Sequence, residues 1–157
     1  MICFDTTVLI WGVQGSARGG AEIVDRTRRY IDSLAKDNER IMIPTPAVTE
    51  YLQVFGPDDR RRQLEILARH FVIQAFDLPS AFLAADIAYK TGAPKVSKDV
   101  TRQAVKTDIE ILATALVHGA SSLITDNKRH FDKLAVGRHI KISEVPTVAE
   151  QRKLFEP

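Results

Sequence analysis

Asp5, Glu50, Asp108 and Asp126 are the residues of this chain whose type and placement point to chemistry. Asp5 ends the apolar run Ile2-Cys3-Phe4, and Asp126 follows Leu123-Ile124-Thr125. Asp108 reads as the opening residue of a helix over 109–118, and Glu50 interrupts an otherwise apolar helix stripe. In an open α/β sheet, groups just past the carboxyl ends of the strands converge on one crevice. Acids gathered there repel one another: two unit charges about 4 Å apart repel by roughly 4 kcal/mol at an effective dielectric near 20. A divalent cation relieves that repulsion, so the pattern points to a metal-dependent enzyme. An all-oxygen donor set suits a hard ion, Mg²⁺ or Mn²⁺.

Each acid also has a plainer reading. Asp5, Asp108 and Asp126 could be helix caps or first-turn acids favoured by the helix dipole. Glu50 could be a rim residue whose carboxylate reaches water. Their joint occurrence at equivalent junctions favours a site.

Other chemistries find little support. His70, His118, His130 and His139 are dispersed without an H-x-x-x-H pair, which argues against zinc and reads as surface or helix-end positions. No G-x-S-x-G elbow occurs. Gly12, Gly15, Gly19 and Gly20 match neither a P-loop nor a dinucleotide fingerprint, and read as a loop. The single cysteine, Cys3, excludes an internal disulfide and reads as a small core hydrophobe. There is no apolar run of membrane-spanning length and no signal-peptide pattern, so the cytoplasm is the expected compartment.

Net charge is +2, too small for a polycationic nucleic-acid binder. Arg26, Arg28 and Arg29, like Arg60-Arg61-Arg62, read as solvated helix faces. The cations Lys95, Lys98, Arg102 and Lys106 run up to Asp108, while Lys128 and Arg129 follow Asp126. Cations so placed suit a phosphate backbone beside a metal site.

The elements that must position the acids follow from periodicity and turn chemistry. Strands are expected at 2–4, 41–43, 71–76, 122–124 and 140–142. Helices are expected at 6–11, 21–36, 58–69, 79–89, 108–118 and 127–134. A further helix starts at Pro46 behind an N-cap at Thr45 and runs to Gly56-Pro57, with Ala47, Glu50, Tyr51 and Val54 on one face. The chain breaks at 91–94, 99–106 is weakly helical, Gly119 is a C-terminal stop, and Thr147 with Glu150 forms a capping box for a terminal helix. Strands alternating with helices imply an α/β/α fold, one domain over 1–157 with a central parallel sheet of four to five strands.

Four segments carry a resemblance to a known family: Phe4-Asp5-Thr6-Thr7-Val8-Leu9-Ile10, Pro46-Ala47-Val48-Thr49-Glu50-Tyr51-Leu52, Lys106 through Ala115, and Leu123-Ile124-Thr125-Asp126-Asn127. Together they resemble PIN-domain ribonucleases, most of all the short VapC-type toxins of toxin–antitoxin pairs. The resemblance implies a Mg²⁺- or Mn²⁺-dependent endoribonuclease with Asp5, Glu50, Asp108 and Asp126 as metal-site and catalytic residues. It also implies Thr6 and Thr125 as supporting residues, an RNA substrate (tRNA, rRNA or mRNA), a cognate antitoxin and a homodimer. Thr7 stands where the family often has asparagine, and the glycine-rich stretch after Trp11 is a second departure. Lys106 and Lys128 read equally as contacts to a neighbouring phosphate or as solvated surface.

Three other functions compete. A phosphatase of the haloacid-dehalogenase type also begins with an aspartate after a buried strand, but needs a second aspartate where this chain has Thr7. A non-catalytic RNA- or protein-binding module of the same fold has no use for an acidic cluster. An RNA-processing nuclease outside any toxin system keeps the same chemistry and the same residues.

Overall fold

Ile2–Phe4 forms β1, and it is the central strand of the sheet. It pairs with β2 (Ile41–Pro44) on one side and β4 (Ser122–Ile124) on the other. β3 (Val72–Gln74) extends the sheet beyond β2, and β5 (Lys141–Ser143) extends it beyond β4. Every pairing is parallel, in the order β3-β2-β1-β4-β5. The computed structural model describes residues 1–16, 20–92 and 102–155.

Successive side chains on a strand point to opposite faces. Cys3 and Leu123 accordingly enter one apolar cluster with Tyr51, Ile111, Leu112 and Phe131, while Phe4 and Ile124 enter a second with Val8, Tyr30 and Leu34. Helices cover both faces, because parallel strands need crossovers that return over the sheet. These are α1 (Thr6–Leu9), α2 (Ala21–Lys36), α3 (Thr45–Leu52), α4 (Pro57–His70), α5 (Leu78–Thr91), α6 (Arg102–Val117), α7 (Lys128–Leu134) and α8 (Val148–Phe155). The expected α/β/α architecture is the one observed, with five strands. Among the described residues, no helix is long and apolar enough to cross a membrane.

Several local expectations need correction. Helical structure after β1 does not give way to loop at Gly12: a π-helical segment, Ile10–Gln14, continues α1. Glycine is suited there because the π segment lies against α2, so a Cβ on Gly12 would sit 2.4 Å from Ile31 Cδ1. Gly15, at φ 74°, then ends the segment in the left-handed region that favours glycine. Gly19 lies outside the described residues, as do 93–101, which include Lys95, Lys98 and part of the weakly helical stretch.

Asp108 does not open its helix. Val105, Ile109 and Leu112 are buried at i, i+4 and i+7, so one apolar stripe carries α6 from Arg102 straight past Asp108. Thr45 is the first residue of α3 rather than its cap, and its hydroxyl accepts from Phe76 N–H. Because α3 stops at Leu52, Val54 is 66% exposed and leaves the stripe that Ala47 and Tyr51 maintain. β3 is shorter than expected, with Phe71 and Phe76 lying outside it. Ala21–Lys36, the Gly119 turn and the Thr147–Glu150 capping box form as expected.

Candidate active site

Chain order runs outward from β1 in both directions across the sheet, so the topological switch lies between β1 and β4. Phe4 is in register with Ile124, which sets Asp5 and Thr125 side by side just past the two strand ends. Asp5 N–H donates to the Ile124 carbonyl at 3.0 Å.

Asp5 is buried, and both its carboxylate oxygens are engaged. It caps α1, Oδ1 accepting from Thr6 N–H at 2.6 Å. Oδ2 accepts from the hydroxyls of Thr125 at 2.7 Å and Thr7 at 3.3 Å. The plain N-cap reading is therefore correct for Asp5 as far as it goes, but a cap needs no such additional donors. Thr125 is fixed in turn, since its Oγ1 accepts from Asn127 N–H at 3.0 Å.

Thr6 links two elements. Its amide serves Asp5, and its hydroxyl donates to Glu50 Oε2 at 2.7 Å, tying α1 to α3. Glu50 is half-buried at the rim of α3, and also lines a cleft with Thr49, Gln53, Gln103 and Thr107. Asp108 reaches the same region from α6. Burial foremost, then the charges of Asp5 and Glu50, push its carboxyl up to about 8. Burial likewise raises Asp5 to about 6, the Glu50 charge adding to it while the bonds from Thr125, Thr6 and Thr7 oppose it. Both acids are thus held in a setting that resists their negative charge.

Three of the expected acids, Asp5, Glu50 and Asp108, are brought into mutual electrostatic reach from three elements. Asp126 stands apart. It is exposed, lies between β4 and α7, and faces a cavity shared with Thr7 and Trp11. Lys106 and Lys128 each turn toward an acid on their own helix, Glu110 at 3.7 Å and Asp132 at 2.5 Å.

Sequence reasoning passed over His130. Phe131 anchors α7 in the core, and His130, beside it, brings Nε2 to 3.3 Å from Asp108 Oδ2. The contact is too poorly aligned for a hydrogen bond, and that buried nitrogen has no partner among the described residues. Burial, then Lys133, lowers the His130 pKa while Asp108 is raised, so near neutral pH the two are not an ion pair. His118, by contrast, is occupied by Asp77 and Gln74 at the other end of α6.

The donor chemistry fits a hard divalent cation: carboxylate oxygens backed by hydroxyls, with two carboxyls whose charge would be stabilised by one. Among the described residues, no three His, Cys, Asp or Glu side chains are gathered tightly enough to close around an ion without moving. The side chains that could meet on such an ion are Asp5, Glu50 and Asp108, with Asp126 approaching from the cavity side.

A sequence profile described as the PIN domain matches residues 2–137. No curated protein matches the sequence. Among solved structures, the fold is similar to VapBC2 from Rickettsia felis bound to a DNA fragment of its promoter, at TM-score 0.66 and 16% identity, covering 92% of this chain and 98% of the other. It is similar also to DNA-bound VapBC from Salmonella typhimurium, at TM-score 0.64 and 15% identity, with the same coverage. VapBC-1 from nontypeable Haemophilus influenzae follows at 0.63 and 15%, again covering 92% and 98%. At such identities the likeness concerns the fold.

Proposed function

The chain belongs to the PIN-domain family, and from that premise we propose that residues 1–157 form a Mg²⁺- or Mn²⁺-dependent endoribonuclease domain, the toxin of a toxin–antitoxin pair. The observation that carries the proposal is the meeting of Asp5, Glu50 and Asp108: the carboxyls of Asp5 and Asp108 are raised to about 6 and 8, and threonine hydroxyls orient Asp5 and Glu50. Such an arrangement is costly unless something positive shares it.

In this reading Asp5 is the central metal ligand, fixed by Thr125, Thr7 and the Thr6 amide. Asp108 and Asp126 complete the metal positions, and Glu50, oriented by Thr6, holds metal or a coordinated water. One or two such ions, when bound, would neutralise the scissile phosphodiester and make an attacking water acidic enough to act as nucleophile. The protein's own part is to keep these oxygens aimed at one point and to hold the RNA beside them. Lys106 and Lys128 would contact phosphate only by leaving their present acidic neighbours.

The solved neighbours named above are toxin–antitoxin complexes, which supports a cognate antitoxin as partner here. A second copy of the chain is supported by α5. Leu78, Phe82 and Tyr89 are 83, 81 and 88% exposed, and with Ala85 they form one apolar stripe at heptad spacing. The compartment that suits an RNA target is the cytoplasm.

The test is incubation of purified protein with tRNA and rRNA fragments and Mg²⁺ or Mn²⁺, beside Asp5→Asn and EDTA controls. Cleavage by the wild type with metal, absent in both controls, is expected. Failure of folded wild type on every RNA with either metal would sink the nuclease reading.

A further inference from the structure

A cavity of about 850 Å³ opens directly off the proposed site, sharing Thr125 and Asp126 with it. Its far wall is the π-helical segment, which contributes Ile10, Trp11 and Gln14. π-Helical turns are rare and recur at functional sites. Trp11 packs its apolar body against the second core cluster yet still lines the cavity, so part of the indole is left on the wall. Arg26, from α2, is the one cation among the described lining residues. Its Nε is buried and has no hydrogen-bond partner among the described residues, although its charge is felt by Glu150.

A buried guanidinium nitrogen lacking a partner is out of balance until an acceptor arrives. An indole on the wall, a guanidinium whose Nε lacks a hydrogen-bond partner among the described residues and a rim at Thr125 and Asp126 together fit one class of ligand. Unpaired bases stack on aromatic faces with little regard to sequence, and arginine holds the adjoining phosphate. Glu144 on the same wall would repel a further phosphate, but its carboxylate accepts from an exocyclic amino group. The charge pattern therefore suits one nucleotide whose base carries an exocyclic amino group.

We propose that this cavity is a subsite for one unpaired nucleotide flanking the scissile phosphodiester, with its base against Trp11 and its phosphate at Arg26. The inference rests on the ribonuclease reading and adds to it where the RNA strand leaves the acids. It makes Trp11 and Arg26 substrate-binding residues.

Trp11 is the only tryptophan, so selectively excited tryptophan emission reports on this wall of the cavity. In EDTA, where no RNA is cut, titration with short oligo-A, oligo-C and oligo-U should change its emission saturably, oligo-A and oligo-C binding tighter than oligo-U. Arg26→Ala, checked for fold by circular dichroism, should weaken binding about tenfold and lower the salt-dependence slope by about 0.7, the value for one phosphate contact on a single strand. Arg26→Lys should recover most of that affinity.

If wild type cuts RNA with Mn²⁺ while neither Trp11 emission nor Arg26→Ala affinity changes, the subsite is wrong and the nuclease stands. Arg26-dependent quenching without cleavage under any metal supports the nucleotide site at Trp11 and Arg26 but removes the nuclease, and with it the scissile bond beside that site. Emission that answers only to an added antitoxin-like protein overturns the proposal in favour of a protein-docking surface.

Discussion

Replacing Asp108 with asparagine should stabilise the metal-free protein, increasingly so as pH rises. The Asp108 carboxyl is held at about 8 in the fold against a reference of 3.8, mainly by burial and then by the charges of Asp5 and Glu50. A group that ionises more readily in the unfolded chain favours unfolding as pH climbs between those two values. At pH 7 the interval spans about 3 pH units, and at 1.36 kcal/mol each the folded state is destabilised by about 4 kcal/mol. Rotation of the ionised carboxylate toward water recovers part of this, leaving about 2 kcal/mol as the expected gain on substitution. For a chain of this length that corresponds to a rise in Tm of about 4–8 °C. Thermal melts in EDTA from pH 4 to pH 8.5 should show wild type and Asp108→Asn nearly coincident at pH 4 and separating steadily above it. Mn²⁺ should reverse the order, since an ion at a hundredfold its Kd adds about 2.7 kcal/mol to the protein that retains the ligand. A variant melting at or below wild type at pH 8 in EDTA, or a gap that does not vary with pH, would refute the reasoning.

Three further substitutions probe neighbouring contacts. Thr125→Val keeps the volume and removes a hydroxyl that lowers the Asp5 pKa, so the acid limb of kcat/KM should move to higher pH with an activity loss of about 10–100-fold; an unmoved limb would mean the bond does not tune Asp5. His130→Ala should weaken Mn²⁺ binding measured by calorimetry by about 10–100-fold if Nε2 orients Asp108, and unchanged affinity would remove His130 from the site. Phe82→Glu, at an exposed position, should leave the circular dichroism spectrum intact while converting a dimer to a monomer by light scattering; a dimer persisting in the variant would place the interface elsewhere.

The fold was legible wherever one apolar period ran without interruption between strong stops. Ala21–Lys36 was readable because Val24, Tyr30 and Leu34 recur on one face and Asn38, at positive φ, follows its end. The short parallel strands were readable because runs such as Leu123-Ile124 are apolar on both faces, as a two-sided core requires. Two of the misread places share a reason. Glycine in Gly12 signalled loop, but its lack of a side chain served a close helix–helix approach instead. Asp108 signalled a helix start, but the burial of Val105 upstream outweighed the local preference of an aspartate for a first turn. In each, tertiary packing overrode what the residue favours alone.

The same distinction explains which parts of the site could be foreseen. Asp5 and Thr125 are placed by strand register, so a residue at the end of each short apolar run was sufficient to locate them. Glu50 could be suspected because a carboxylate among Ala47, Val48 and Tyr51 needs a partner, and the Thr6 hydroxyl supplies one. His130 left no such trace, since its approach to Asp108 depends on the way α7 packs across α6, and sequence separation conveys nothing about that crossing. Arg26 was hidden for the converse reason. Within Arg26, Arg28 and Arg29 it looks like one of three solvated cations, and only the turn of α2 relative to the π-helical segment separates it from the others. Arg28 donates to the Gly12 carbonyl outside, while Arg26 lines the cavity. A charge run thus contains two different roles, and what divides them is the hundred degrees of rotation that each helical residue adds. The substitution that separates those roles is Arg26→Ala compared with Arg29→Ala: the first should lose RNA affinity and the second, exposed on the same helix, should not.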